Sequence, residues 1–167
     1  MIVVRDEYYK IATNLKTRVL ENNTIITDNL FAYDGNRKEV EAVIYSKDKE
    51  DLNFNKYPCT ILEMPYTVIP NDWNRLNDVK VDGLRILIVA QAQQMGRNEE
   101  RYDNVIKPLL YPILEELLNA LRNQKNIQSF KVVSVTEHPY WGTEQKIAND
   151  IWETLDVRLD VNFRENC

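Results

Sequence analysis

Glycine, cysteine and histidine are scarce in this chain, and each scarcity excludes a class of site. The 167 residues include four glycines, two cysteines and one histidine. Four scattered glycines do not form the glycine-rich loop that cradles phosphate groups. Cys59 and Cys167 cannot build a disulfide framework, and with a single histidine they do not supply the ligands of a zinc site. We therefore expect no cofactor and no metal ion.

An excess of positive charge and long apolar runs are missing too. Lys and Arg total 21 against 26 for Asp and Glu, so the net charge is −5. Because affinity for DNA comes largely from cations on phosphates, we expect a protein that does not grip DNA but can let it pass. No segment approaches the roughly 20 apolar residues of a membrane span, and the first residues lack a signal-peptide pattern. The sequence predicts no membrane partner, and synthesis in the cytoplasm.

Apolar residues at spacings of three and four predict two helices. One covers about residues 4–22, and its apolar side consists of Val4, Tyr8, Ile11, Leu15 and Val19. The other covers about residues 99–123 and carries a broad leucine-rich stripe. Pro108 and Pro112 lie inside it, and an interior proline removes a backbone hydrogen bond. Either the helix kinks there, or a short helix ends near Pro108 and a longer one begins; we favour the break.

Alternation of apolar and polar residues predicts the strands. Residues 57–64 and 129–137 show it, residues 39–46 show it weakly, and residues 84–93 are apolar on both faces, which is typical of a central strand. Residues 151–163 have the clearest pattern, with apolar odd-numbered positions from Leu155 to Phe163. We predict that this odd-numbered face packs on the core and that the even-numbered face meets water or a partner. At about 3.3 Å per residue, the strand would span roughly 40 Å.

Two long segments, residues 65–83 and 138–150, contain prolines, aromatics and polar residues with little periodicity. We predict that both are extended loops or arms. The chain is then one domain, residues 1–167, of the α+β class. Helices pack on one face of a mostly antiparallel sheet, and two hairpin arms protrude.

The only histidine, His138, lies in the segment EHPYWGTE between these last two strands. A general base needs an orienting carboxylate and a nucleophile within reach. Glu137 is adjacent, but neighbours on a strand point to opposite faces. Pro139 also forces an extended or turning backbone at His138. We interpret His138 as part of a hairpin tip and not as a catalytic residue.

Asp156 and Asp160 share a strand face, and paired carboxylates can perform acid–base catalysis. They are roughly 13 Å apart along the strand, and Arg158 lies between them. We interpret the three residues as a charge ladder on a solvated or subunit-facing surface. The sequence therefore predicts no catalytic residue and no enzyme.

The order of these elements resembles that of tail terminator and related neck proteins of tailed bacteriophages. The likeness covers about residues 4–163 and comprises the first helix, the strands YPCTILEM and LRILIVAQAQ, the helix LYPILEELLNAL and the closing pair FKVVSVTEH and IWETLDVRLDVNF. The resemblance implies a non-enzymatic virion protein of the neck or tail that joins the capsid or portal to the tail. It also implies a homo-oligomeric ring, six- or twelve-fold, that contacts other neck, portal or tail proteins, with DNA at most passing through the bore.

The two predicted arms suit contacts between ring subunits, because Trp and Tyr contribute much of the binding energy at protein interfaces. The expected interface residues are Tyr66, Trp73, Tyr140, Trp141, Trp152 and Arg158. Two other interpretations stay open. One is a small enzyme or ligand-binding domain with a pocket between the leucine-rich helix and the sheet. The other is an adaptor or assembly chaperone that works as a monomer or dimer.

Overall fold

A computed structural model of the chain describes residues 1–21, 24–29, 31–36, 38–40, 58–72, 75–92, 102–141 and 151–166. The helical elements are α1 (Val4–Ala12), a π-helix, π1 (Tyr102–Leu110), and α2 (Tyr111–Asn123). Residues 38–40 are also helical. The strands are β1 (Lys16–Glu21), β2 (Thr24–Asn29), β3 (Phe31–Gly35), β4 (Cys59–Glu63), β5 (Ile69–Asp72), β6 (Arg75–Ala92), β7 (Ile127–Trp141) and β8 (Ile151–Arg164).

Six of the strands form one mixed sheet. Its order is β3-β4-β6-β8-β7, and β5 pairs with the first part of β6. The β3–β4 pair is parallel, and every other pair in this sheet is antiparallel. β1 and β2 form a separate antiparallel hairpin. This architecture confirms the predicted α+β class with a mostly antiparallel sheet.

The second half of the central strand β6, from Leu84 to Ala90, is buried on both faces. Its even-numbered residues, such as Ile86 and Ile88, belong to the main core together with side chains of α1, π1 and α2. Its odd-numbered residues Leu87 and Val89 belong to a smaller cluster that also contains Tyr33, Val40, Cys59 and Ile61. Since successive strand residues point to opposite faces, the two clusters lie on opposite sides of the sheet. The prediction of a central strand over residues 84–93 is confirmed.

The register predicted for β8 is confirmed on its odd-numbered face. Leu155, Val157, Leu159, Val161 and Phe163 are at most 3% exposed. The even-numbered face is only partly as predicted. Arg158 is exposed, but Thr154 and Asp156 are 2% and 1% exposed, so they meet neither water nor a free surface. Asp156 tolerates burial because an opposite charge on β6 pairs with it.

The first helix is shorter than predicted, because α1 ends at Ala12 and residues 16–21 form β1. Leu15 and Val19 are four residues apart, a spacing that fits the stripe of α1 but does not require a helix. The β-branched residues Thr17 and Val19 and the run TIIT after Asn22–Asn23 favour strands on either side of a turn. The preference for two strands therefore prevails over the helical spacing, and residues 16–21 and 24–29 form β1 and β2.

The prediction of an aperiodic arm over residues 65–83 is wrong for most of that segment. Residues 69–72 form β5, and residues 75–83 form the first half of β6. Val79 and Val81 are fully buried and pair with the last part of β8. A one-residue register shift follows, at Gly83, whose φ of +69° favours glycine. This bulge separates two stretches of one strand and hides their common periodicity.

The second predicted arm is also partly strand. β7 continues to Trp141, so residues 138–141 belong to the sheet, whereas residues 142–150 lie outside the described residues. Of the weaker strand predicted over residues 39–46, residues 39 and 40 are helical, and the rest lies outside the described residues.

The leucine-rich helix changes type instead of breaking at its first proline. Pro108 lies inside the π-helix, and the α-helical part begins at Tyr111. Pro112 is the second residue of α2. The predicted break near Pro108 is therefore a change of helix type three residues later. No helix among the described residues is long and apolar enough to cross a membrane.

A buried carboxylate ties α1 to the segment after α2. Glu7 is 3% exposed and accepts hydrogen bonds from Gln124 at 2.9 Å, Asn126 at 3.0 Å and Lys10 at 3.0 Å. Burial opposes ionisation of this carboxyl, but the hydrogen bonds outweigh burial and lower the pKa of Glu7 below its ordinary value. The ionised form is therefore the one that the fold stabilises.

Candidate functional site: a charged cluster on the sheet

Ionisable side chains from four neighbouring strands meet on one face of the sheet. We call them the Asp156 cluster, and its members are Glu63, Arg85, His138, Asp156 and Arg158. They come from the end of β4, from β6, from β7 and from β8. The cluster lies on the face that carries the smaller core, opposite α1, π1 and α2.

The strand register explains the meeting. Arg85 pairs with Arg158, and Leu87 pairs with Asp156. On the other side of β8, Thr136 of β7 pairs with Asp156. Residues that pair directly, or that are two apart on a strand, share a face. The side chains of Arg85, Asp156 and Arg158 therefore project from the same face of β6 and β8.

Arg85 forms the inner contact of the cluster. Its Nε lies 3.2 Å from Oδ1 of Asp156, and its Nη2 lies 2.7 Å from Oδ2. Its Nη1 lies 3.0 Å from Oε2 of Glu63. This two-pronged arrangement of a guanidinium on a carboxylate is the stronger kind of ion pair. One arginine thus bridges two carboxylates on the strands at either side of its own.

His138 and Arg158 form the outer contacts. The Nε2 atom of His138 lies 3.8 Å from Oδ2 of Asp156, and Nη2 of Arg158 lies 3.9 Å from the same oxygen. Both separations exceed hydrogen-bond length. The two side chains are 41% and 50% exposed, whereas the side chain of Asp156 is 2% exposed. The carboxylate of Asp156 is therefore buried, whereas the nitrogen groups of His138 and Arg158 beside it are partly exposed to solvent.

The charges in the cluster change one another's protonation. Burial raises the pKa of Glu63; the cation of Arg85 opposes that rise, and the anion of Asp156 adds to it. The hydrogen bond to Asp156 raises the pKa of Arg85, although burial opposes that rise. Glu63 is thus the carboxyl that keeps its proton to a higher pH than usual.

The surroundings of His138 only partly match the interpretation made from the sequence. Glu137 points to the helix side, where it accepts a hydrogen bond of 2.6 Å from Tyr111, so it does not orient the imidazole. The carboxylate beside His138 is Asp156, from the neighbouring strand. The register partner of His138 is Thr154, whose buried hydroxyl has no hydrogen-bond partner in the part of the chain that the structure describes. An imidazole and a carboxylate are adjacent, but Thr154 is not hydrogen-bonded to them as a nucleophile.

The residues expected at a subunit interface fall in different places. Arg158 is exposed within the Asp156 cluster. Trp141 and Trp152 are register partners at the end of the β7–β8 pair, next to Tyr140; the structure describes only the backbone of these three residues. Tyr66 is half-buried and packs against the main core. Trp73 lies outside the described residues.

Sequence reasoning missed the inner pair of the cluster, Arg85 and Asp156. A usable signal was present, because Arg85 is the only charged residue in the run LRILIVA from Leu84 to Ala90. A charge in the middle of a central strand is buried only when it is paired. The search for a partner would have led to the acidic positions of the neighbouring strands. Among the described residues, no group of three or more His, Cys, Asp or Glu side chains is placed to hold a metal ion.

No protein-family model matches this chain, and no curated protein matches it.

Proposed function

We propose that this chain is a structural virion protein of a tailed bacteriophage. It is a ring-forming subunit of the neck or tail, of the tail terminator or connector type, and it joins the capsid or portal to the tail. The fold supports the proposal, because the resemblance implies a body of helices packed on a mostly antiparallel sheet, and this chain has such a body. A closed ring requires two different complementary surfaces on each subunit.

The observation that carries the proposal is the length of the β7–β8 pair. β7 has 15 residues and β8 has 14, and the pairing continues to Trp141 and Trp152. At about 3.3 Å per residue, β7 spans roughly 50 Å. The pairing thus extends to a stretch that contains three aromatic residues. Trp and Tyr are among the residues that contribute most of the binding energy at protein interfaces.

The Asp156 cluster supports a structural role more than a catalytic one. Arg85 and Asp156 are directly paired and mostly buried. A buried pair of this kind can fix one strand register against another, here that of β6 against β8. In a ring subunit that contacts its neighbours through both ends of the sheet, a fixed register would keep the two contact surfaces in place relative to each other.

The alternative of a pocket between the leucine-rich helix and the sheet has less support. The side chains on the inner face of the helical segment, Leu110, Ile113, Leu117 and Leu121, are at most 2% exposed and belong to the main core. They pack against β6 and β8 residues of the same cluster. We therefore favour the ring subunit over a ligand-binding domain.

Electron microscopy tests the proposal directly. Particles of the phage that encodes this chain are labelled with gold-conjugated antibodies against it, and the purified chain is imaged by negative staining. We expect label at the junction of head and tail, and closed rings of six or twelve copies. Label that is absent from particles, together with a chain that stays monomeric at all concentrations, would refute the proposal.

Tryptophan substitutions sharpen the test. Trp141→Ala and Trp152→Ala should weaken ring formation by about 2 kcal/mol or more each if they are interface anchors, while circular dichroism of the subunit stays unchanged. Lys107→Ala, at an exposed position of π1, is the matched control. Rings that form equally well in all three variants would show that these tryptophans are not interface anchors.

A further inference from the structure

A shallow groove runs beside β7, the strand at one edge of the main sheet. Two depressions, of about 420 Å³ and about 500 Å³, share Ile127 and Gln128 and are therefore continuous. The first is bordered by Lys125 and Arg164, and the second extends between the end of α2 and β7 as far as Val132. We call this surface the β7 groove.

The floor of the β7 groove is apolar. Leu121 and Ile127 lie buried beneath it, Phe130 is half-buried, and Val132 is 36% exposed. Val133, the next residue of the strand, is 52% exposed. Within the described ranges, β7 pairs only with β8, so its outer edge has no backbone ladder. A groove between a helix and an open strand edge is where an extended peptide adds to a sheet.

The rim of the β7 groove is basic. Arg122, Lys125 and Arg164 are exposed, and none of them forms an ion pair with a carboxylate of the described residues; Arg122 donates instead to Oδ1 of Asn119 at 2.8 Å. Among the described residues, Glu165 is the one carboxylate that lines the groove, and the amino group of Met1, 2.7 Å from its Oε2, neutralises it. A cationic surface thus stands on a chain whose net charge is −5.

We propose that the β7 groove binds an extended acidic segment of a partner protein, which adds to β7 as a further strand. Backbone hydrogen bonds to β7 hold the segment, its alternate apolar side chains contact Phe130 and Val132, and its carboxylates lie beside Arg122, Lys125 and Arg164. The register of β7 shifts on either side of residues 129–132, so the added strand is short. The basic rim selects an acidic segment among extended chains, because complementary charge sets the partner.

A second copy paired about a two-fold axis does not suit the groove. Two β7 edges paired in this way would bring the same surface of each copy together. The three rim cations of one copy would then face those of the other, and like charges at an interface are unfavourable. We therefore assign the groove to a different, acidic chain.

Peptide titration tests this inference. The uniformly ¹⁵N-labelled chain is titrated with the peptide acetyl-EVEVEVEVE-amide and, separately, with acetyl-KVKVKVKVK-amide. We expect amide shifts confined to residues 121–133 and to Arg164 with the acidic peptide, weaker binding at high salt, and no binding of the basic peptide. Equal binding of both peptides, or no shifts in the groove at millimolar acidic peptide, overturns the proposal.

Charge-reversal variants test whether the basic rim residues contribute to binding of the acidic peptide. The double variant Lys125→Glu/Arg164→Glu should weaken binding of the acidic peptide about tenfold, since two exposed ion pairs together contribute about 1.4 kcal/mol. Lys107→Glu, which does not line the groove, should bind like the wild type, and Arg122→Glu replaces the double variant if that variant fails to fold. Unchanged affinity in a folded rim variant contradicts the inference.

Self-association is measured in the same experiment. If shifts in the groove appear when the chain alone is concentrated, the occupant is a second copy and the acidic partner is refuted. Ring formation and labelling of particles are scored separately by microscopy. A chain that stays monomeric and is absent from particles but binds the acidic peptide would refute the proposed function and leave this inference standing.

Discussion

Removal of the Arg85 guanidinium should destabilise the fold strongly. Arg85→Met leaves the carboxylate of Asp156, whose side chain is 2% exposed, without its inner partner. That carboxylate cannot regain water unless the sheet opens. Removing one member of a buried ion pair costs about 3–5 kcal/mol. A domain of this kind has a free energy of unfolding of about 5–15 kcal/mol, so the loss is a large fraction of the total.

The residues that remain beside Asp156 narrow the range expected for this loss of stability. Nη2 of Arg158 remains 3.9 Å from Oδ2 of Asp156, so part of the charge stays compensated and we expect about 3 kcal/mol, the lower end for a buried pair. Asp156→Asn keeps Arg85 paired with Glu63 and should cost about 2 kcal/mol, within the range of a lost hydrogen bond to a charged group. The double variant should cost less than the sum, by about 1.5 kcal/mol or more, because one interaction is lost in both single variants.

Urea unfolding followed by circular dichroism measures these values at neutral pH. Arg158→Met is the matched control, because Arg158 is half exposed and outside hydrogen-bond distance of Asp156. Its free energy of unfolding should change by about 0.5 kcal/mol or less. If Arg158→Met costs as much as Arg85→Met, or if the coupling in the double-variant cycle is below about 0.5 kcal/mol, the pair does not anchor β6 against β8.

Val157→Asp should cost about 3 kcal/mol or more, because Val157 is fully buried and the new charge has no partner; a thermal melt like that of Arg158→Met would contradict the register of β8. Glu7→Gln should make the free energy of unfolding fall less steeply than in the wild type as the pH drops below about 4.3. The lowered pKa of Glu7 means that its contribution is present above the unfolded pKa of about 4.3 and is lost as the pH falls further, through the folded pKa, so parallel urea midpoints against pH for wild type and variant would refute it. Burial raises the pKa of the Cys59 thiol, which is 0% exposed, so in a Cys167→Ser background maleimide should label the chain only after unfolding; fast labelling in native buffer would place Cys59 outside the core.

Local periodicity predicted those helices and strands in which the spacing of apolar residues along the element itself shows which side is buried. β8 and the second half of β6 alternate or are apolar throughout, and α2 has a complete stripe, so each was predicted near its observed place. The end of α1 was not, because Val19 fits a helical spacing and a strand equally well. The first half of β6 was missed because the bulge at Gly83 shifts the phase of the alternation.

The candidate site was less predictable than the fold. Arg85 and Asp156 are 71 residues apart in sequence, and their meeting depends on how β6 registers against β8. A single sequence shows which strands alternate but not which residues face each other across them. Arg158 was predicted from its place on the even-numbered face of β8, which is a local property. Its partners were not, because they come from other strands.

The place of β8 in the sheet has a consequence for how the protein is made. β8 follows every other described strand in the chain, yet it lies between β6 and β7. β6 and β7 are therefore both synthesised before their common partner, and a strand edge without its partner favours aggregation. The pairing of β8 with β7 is local in sequence and can form in microseconds, but the pairing with β6 closes a long loop. We expect a nascent chain stalled before Ile151 to be digested by protease, and one released after Arg164 to resist, since a single strand completes the sheet.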